Sequence, residues 1–112
     1  MTLPSEAELL RIFVGENDRH GGRPLYEVIV EEALRRGMAG ATVLRGTLGF
    51  GAHSRIHTAK VLRLSEDLPM VIEIVDQPER IAAFLPELDA LMGEGLVTLE
   101  RVRLIAYRSG VA

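Results

Sequence analysis

Two segments patterned as amphipathic helices, at 24–37 and 76–95, constrain the fold most strongly, because strand-like segments flank each of them. Both have apolar residues at the i, i+3, i+4, i+7 spacing that gives a helix one buried face. The first stripe comprises Tyr26, Ile29, Val30, Ala33 and Leu34, and the second comprises Ile81, Phe84, Leu85, Leu88 and Met92. We therefore predict two helices that each pack one face against a sheet.

Local signals predict where both helices begin and end. Pro24 suits the first turn of a helix, where its missing N–H costs nothing, and Gly37 is a natural stop. Asp76 is the predicted N-cap of the second helix, with Glu79 as its reciprocal capping partner. Pro86 lies inside the second pattern and predicts a kink or a local break.

The remaining β-forming segments complete the order strand, helix, strand, strand, helix, strand. Their approximate ranges are 9–14, 40–51, 68–75 and 96–108, and 61–64 is a further short candidate. In the last segment the apolar phase slips near Glu100 and Arg101, which predicts a bulge or two strand pieces. Right-handed crossovers then predict an α+β, ferredoxin-like βαββαβ sandwich, in which two helices cover one face of a four-stranded antiparallel sheet.

The composition agrees with one small domain. Of the 112 residues, 47% are hydrophobic, and we predict a flexible N-terminus at 1–8, the folded domain at 9–108 and a tail at 109–112. The absence of cysteine excludes disulfides, cysteine-ligated zinc and thiol catalysis. No signal peptide or membrane-length apolar run is apparent, so a cytoplasmic location is expected. The net charge of −3 argues against nonspecific nucleic-acid binding.

The second face of the predicted sheet still has apolar residues, and no further segment remains to cover it. An exposed apolar surface of that size usually marks an interface, so a homo-oligomer is expected.

Glycines distinguish the end of the segment at 40–51. Gly46, Gly49 and Gly51 remove side chains at three places within six residues, which permits bending or close approach to the backbone. Two interpretations remain open: a bulged strand that continues into a mobile loop, or one wall of a ligand cleft.

Four stretches in order resemble the PII-like signalling proteins, and most closely a small, uncharacterised prokaryotic branch of that superfamily. The run 37–43 followed by Gly49-Phe50-Gly51 is similar to their second strand, and 68–75 is similar to their third. Gly93-Glu94-Gly95 lies where their glycine-rich phosphate loop falls, and 108–110 resembles their terminal Arg-Thr-Gly.

The resemblance implies a compact trimer with three lateral clefts that bind adenine nucleotides. It also implies that the loop at 52–67 contacts a regulated membrane transporter or channel, or a soluble enzyme. Glycine-loop N–H groups can bind phosphate, arginine adds bidentate donors, and Thr42 could bind an adenine edge. The candidate nucleotide-binding residues are Gly40, Thr42, Gly49, Phe50, Gly51, Gly93, Glu94, Gly95, Arg101, Arg103 and Arg108.

One departure from the family pattern affects the ligand. Leu96 replaces the lysine of the phosphate loop, which removes a cation from any triphosphate site. AMP, ADP or a cyclic nucleotide is then at least as compatible as ATP. The arginines also have a simpler interpretation, in which Arg101, Arg103 and Arg108 form a solvated strand end that keeps an edge from pairing.

Other constellations give weaker signals. His53 and His57 have an i, i+4 spacing that can bind a metal, so a metal-binding or structural trimer of the copper-tolerance type is the alternative. No nucleophile–base pair and no paired carboxylates suggest catalysis. A non-catalytic sensor with no required cofactor, and with an adenine nucleotide as its effector, is therefore predicted.

Overall fold

The structure, a computed structural model, describes residues 6–51 and 67–109. The elements in chain order are β1 (Glu6–Gly15), β2 (Arg19–His20), β3 (Arg23–Pro24), α1 (Leu25–Arg35), β4 (Thr42–Arg45), β5 (Pro69–Asp76), α2 (Pro78–Leu91) and β6 (Leu96–Arg103). The predicted strand at 61–64, the histidine pair at 53 and 57, and most of the predicted loop at 52–67 lie outside the described residues.

The main sheet has the strand order β4-β5-β1-β6, and its neighbouring strands are all antiparallel. Both helices pack on one face, which confirms the predicted ferredoxin-like α+β fold. The strand β1 begins earlier than predicted, because Glu6 and Ala7 already pair with Arg103 and Val102 of β6. Residues 6–8 are therefore part of the sheet rather than of a flexible terminus.

The core lies between the helices and one sheet face. Its fully or almost fully buried side chains include Leu10, Ile12, Ile72, Ile74, Leu25, Ile29, Ala33, Ile81, Phe84 and Leu88. The stripe of α2 is confirmed. The predicted stripe of α1 is wrong at Leu34, which is 77% exposed. The buried face of α1 consists instead of Leu25, Ile29 and Ala33.

Three predictions about local structure are wrong. Asp76 does not cap α2: it ends β5, is fully buried, and accepts hydrogen bonds from the backbone N–H groups of Ala39 (2.9 Å) and Gln77 (2.7 Å). The N-cap is Gln77, without a side-chain capping bond. The helix α2 continues through Pro86, so the predicted local break is wrong, whereas a kink there stays a prediction. The strand β6 has no bulge at Glu100, because its register with β1 is continuous from Leu96 to Arg103.

The other face of the sheet is open and has mixed character. Leu44, Val71, Phe13 and Leu96 form one apolar row across all four strands. In the middle of this face, Arg11 donates to Glu73 (2.8 Å) and to Glu100 (2.7 Å). Hydrogen bonding to Glu73, the largest cause, and to Glu100 raises the pKa of Arg11, although burial lowers it.

Candidate functional site

Loops from four parts of the chain meet at one end of the sheet and enclose a cavity of about 300 Å³. The cavity wall is partly apolar, with Phe13 and Leu96 from neighbouring strands and Phe50 from the glycine segment. Its other described lining residues are Val14, Gly15, Asp18, Gly51, Asp67, Pro69, Glu94 and Gly95. A volume of this size is at the lower limit, roughly 300 Å³, of typical small-molecule pockets.

A tight turn at residues 15–18 organises one wall of the cavity. The N–H of Gly15 donates to the Asp18 carboxylate (2.8 Å), and the N–H of Asp18 donates to the Gly15 carbonyl (3.1 Å). The N–H of Asn17 donates to the Asp67 carboxylate (3.1 Å), and Asp67 has a φ of 45°. The turn therefore fixes two carboxylates at the cavity.

The same turn is bonded to the chain on both sides of residues 52–66. Glu16 accepts two hydrogen bonds from Arg45 (3.0 and 3.2 Å), and its N–H donates to the carbonyl of Leu68 (2.8 Å). Beyond the turn, β2 and β3 form a short hairpin whose two connecting glycines, Gly21 and Gly22, both have positive φ. This hairpin was not predicted from the sequence.

Two glycines are required by the local geometry. Gly95 has a φ of +137°, and a Cβ there would lie 2.6 Å from the carbonyl oxygen of Phe13. At Gly49, with a φ of +159°, a Cβ would lie 2.9 Å from the Pro69 ring. Gly51 and Gly93 differ, because no described atom lies within 4 Å of a Cβ built at either position.

Replacing Gly95 with alanine is expected to destabilise the fold by about 1–3 kcal/mol, because the new Cβ is strained and displaces β1. Gly93→Ala is the matched control two residues away, and we expect a change within about 0.5 kcal/mol. Urea unfolding of both variants measures the difference. Equal stabilities would show that the loop accommodates a side chain at both positions.

The described lining of the cavity is acidic. Asp18, Asp67 and Glu94 all line it, and its described lining contains no lysine or arginine. Leu96, which replaces the lysine of the family's phosphate loop, contributes an apolar side chain to the wall.

The candidate arginines lie at the opposite end of the same subunit. Arg101 pairs with Glu8 and Arg103 with Glu6, whereas Leu96 at the cavity pairs with Phe13. At about 3.3 Å per residue, Arg103 is about 23 Å along β6 from Leu96. Arg108 follows Tyr107, whose hydroxyl donates to the Ala39 carbonyl (3.2 Å) and so places this segment beside Gly40.

The structure thus divides the predicted site residues into two groups. It brings Phe50, Gly51, Glu94 and Gly95 together at the cavity, with Gly49 adjacent in the chain. Gly93 lies in a neighbouring depression between α2 and β6. Within one subunit it does not bring the other predicted residues there: Gly40, Thr42, Arg101, Arg103 and Arg108. Thr42 begins the edge strand β4, opposite Glu73 of β5.

The arginines at the far end differ from the ion-paired arginines of the fold. Within residues 6–51 and 67–109, Arg101, Arg103 and Arg108 form no ion pair, whereas arginines such as Arg11 and Arg45 do. All three are exposed.

Sequence reasoning missed Phe13, Asp18 and Asp67 as cavity residues. The signal for Asp18 is the charged, turn-forming character of residues 15–22, which is typical of a surface loop and also of a loop that contacts a ligand beside a cleft. The strand pattern of residues 9–14 assigned Phe13 to a face, but it did not show that this position reaches a cavity.

Two further observations concern other kinds of site. Among the described residues, no group of three or more histidines and carboxylates is arranged to hold a metal ion. None of the described helices has the length and apolar character needed to span a membrane.

The architecture is that of the PII-like proteins. A candidate PII-like signalling protein from Thermus thermophilus matches with a TM-score of 0.62, at 19% identity, over 89% of this chain and 90% of that chain. CPII, a nitrogen regulatory PII-like protein from Thiomonas intermedia, was solved with ADP, AMP and bicarbonate. It matches with a TM-score of 0.58, at 17% identity, over 92% of this chain and 97% of that chain.

Within this class, the chain belongs to the DUF190 family, described as "Uncharacterized ACR", which it matches over residues 7–104. A UPF0166 protein of Aquifex aeolicus is 42% identical over 98 residues, which cover 88% of this chain and 92% of that protein. These findings confirm the predicted resemblance to the PII-like superfamily and to its uncharacterised branch.

Proposed function

We propose that this protein is a non-catalytic PII-like regulator that binds an adenine nucleotide between the subunits of a homotrimer. The observation on which this depends is the separation of the cavity from the exposed arginines at the far end of the sheet. One subunit cannot offer both to a single small ligand, but two adjacent copies can.

The open sheet face supports association. Its apolar row includes Leu44 and Leu96, which are 50% and 57% exposed in the single subunit. Burying such side chains is favourable. A contact between two unlike surfaces forms a closed ring when the rotation between copies permits, and a ring would place one copy's arginines at the next copy's cavity.

The solved neighbours and the charges support the proposed ligand class. CPII was solved with ADP, AMP and bicarbonate. Exposed arginines that form no ion pair with a described residue are suited to phosphate oxygens, which accept bidentate hydrogen bonds. Leu96 replaces the family's loop lysine and contributes no cation to the cavity. Phosphates would then contact the arginines alone, which favours ligands with fewer phosphates than ATP. We propose that binding alters the loop at 52–67 and thereby its fit to a partner protein.

Two measurements test the proposal. A ligand that binds only the folded state raises its melting temperature, so ADP or AMP should stabilise the protein in a thermal-shift screen. Light scattering at micromolar concentration should give three subunit masses. Stabilisation by divalent metals but not by nucleotides would favour the metal-binding alternative, and a single subunit mass would exclude the inter-subunit site.

A further inference from the structure

We infer that the cavity binds the uncharged nucleoside end of the ligand and that the phosphates point away from it, toward the arginines of the neighbouring copy. This inference rests on the proposed function and specifies the orientation of the ligand. By analogy with the PII-like proteins, the glycine loops would hold the phosphates, so the inferred orientation is the reverse.

The described lining of the cavity includes the carboxylates of Asp18 and Asp67 and no basic residue. A phosphate there would be repelled, and partial exclusion of water would strengthen the repulsion. A divalent cation could offset such repulsion, but the described residues contain no group arranged to hold one.

The apolar part of the cavity wall also suits a flat base. Phe13, Phe50, Pro69 and Leu96 give it apolar surfaces of the kind on which a flat base can pack. Phe50 is 61% exposed in the free subunit, and so has a large apolar area that a ligand can cover. An adenine ring gains from such contacts, whereas a phosphate gains nothing.

The two carboxylates at the cavity also suit the hydrogen-bond donors of a nucleoside. Ribose hydroxyls and the exocyclic amine of adenine are donors, and carboxylates are strong acceptors. One oxygen of Asp18 is held by the Gly15 N–H, and one oxygen of Asp67 is held by the Asn17 N–H. These bonds fix both carboxylates in place, so the second oxygen of each can receive a donor from a nucleoside without further ordering.

The test uses isosteric variants of the two carboxylates. Asp18→Asn and Asp67→Asn each remove one negative charge but keep an oxygen for the backbone N–H bond, and asparagine tolerates the positive φ at position 67. Glu79→Gln removes the same charge at an exposed position in the first turn of α2 and serves as the control. Calorimetry of the assembled protein with ADP and with adenosine measures the affinities.

We expect each asparagine variant to weaken ADP and adenosine by a similar factor of about tenfold, since a hydrogen bond to a charged acceptor is lost. Glu79→Gln should change neither affinity. Tighter ADP binding in the asparagine variants would place phosphate in the cavity and overturn the inference, as would unchanged affinity for ADP. If the wild-type protein binds no adenine ligand at all, the proposed function itself fails, and this inference fails with it.

Discussion

Replacing Arg108 with alanine is expected to lower the affinity for ADP by about tenfold to a hundredfold, without changing the assembly. Arg108 is exposed and without an ion pair among the described residues, beside the Tyr107–Ala39 hydrogen bond that fixes its segment. A charge-assisted hydrogen bond to phosphate is worth on the order of 1.5–3 kcal/mol, which corresponds to this loss. Arg35→Ala is the control, because Arg35 is an exposed arginine on α1 paired with Glu32.

A mixing experiment shows whether the two halves of the site belong to different subunits. Gly51→Val should block the cavity half of the site. A side chain fits at position 51 within the subunit, so the variant should fold, and the valine would occupy space that the ligand needs. Co-assembly of Gly51→Val with Arg108→Ala subunits should then restore about a quarter of the sites, if each site takes one half from each copy. Unchanged ADP affinity in Arg108→Ala would shift the phosphate contact to Arg101 and Arg103. A weakened Arg108→Ala with no restoration on mixing would place both halves in one chain.

Phe84→Ala is expected to destabilise the protein by about 3–5 kcal/mol, the usual cost of a cavity left by a large aromatic side chain. Phe84 is 1% exposed and lies on the face of α2 that packs against the sheet. Leu34→Ala is the control, since Leu34 is 77% exposed, and its change should stay within about 0.5 kcal/mol.

Urea unfolding at one protein concentration measures both variants, because an oligomer's apparent stability depends on concentration. A loss for Leu34→Ala comparable to that for Phe84→Ala would show that the exposed face of α1 is buried in the assembly. A small loss for Phe84→Ala would contradict the described core.

The sequence predicted the fold because the core-facing residues alternate or recur with a clear period. In α2, Ile81, Phe84 and Leu88 follow the helical spacing and are all buried. The same reasoning failed on β6, where the apolar phase predicted a bulge. This strand is at the edge of the sheet, and most of its side chains are exposed on both faces, so burial does not impose a phase on its sequence.

The burial and hydrogen bonding of Asp76 could not be predicted from its neighbours in the chain. The pattern Asp-Gln-Pro-Glu is typical of a helix start, yet the carboxylate bonds to the N–H of Ala39, a residue 37 positions away. The cavity posed the same problem. Asp18, Phe13 and Asp67 meet only because the turn at 15–18 bonds to Asp67 and Leu68 across the fold. Long-range contacts of this kind leave no local signal.

The central position of β1 has a consequence for biosynthesis. Its partners in the sheet are β5 and β6, which are synthesised after it. The backbone hydrogen bonds of β1 with these strands can therefore form only after residues 69–103 have been synthesised. Pairing across such sequence separations has a high contact order and is slow. Until β6 has left the ribosome, one edge of β1 stays unpaired and open to association with other chains. A chain truncated before residue 96 would keep that open edge permanently.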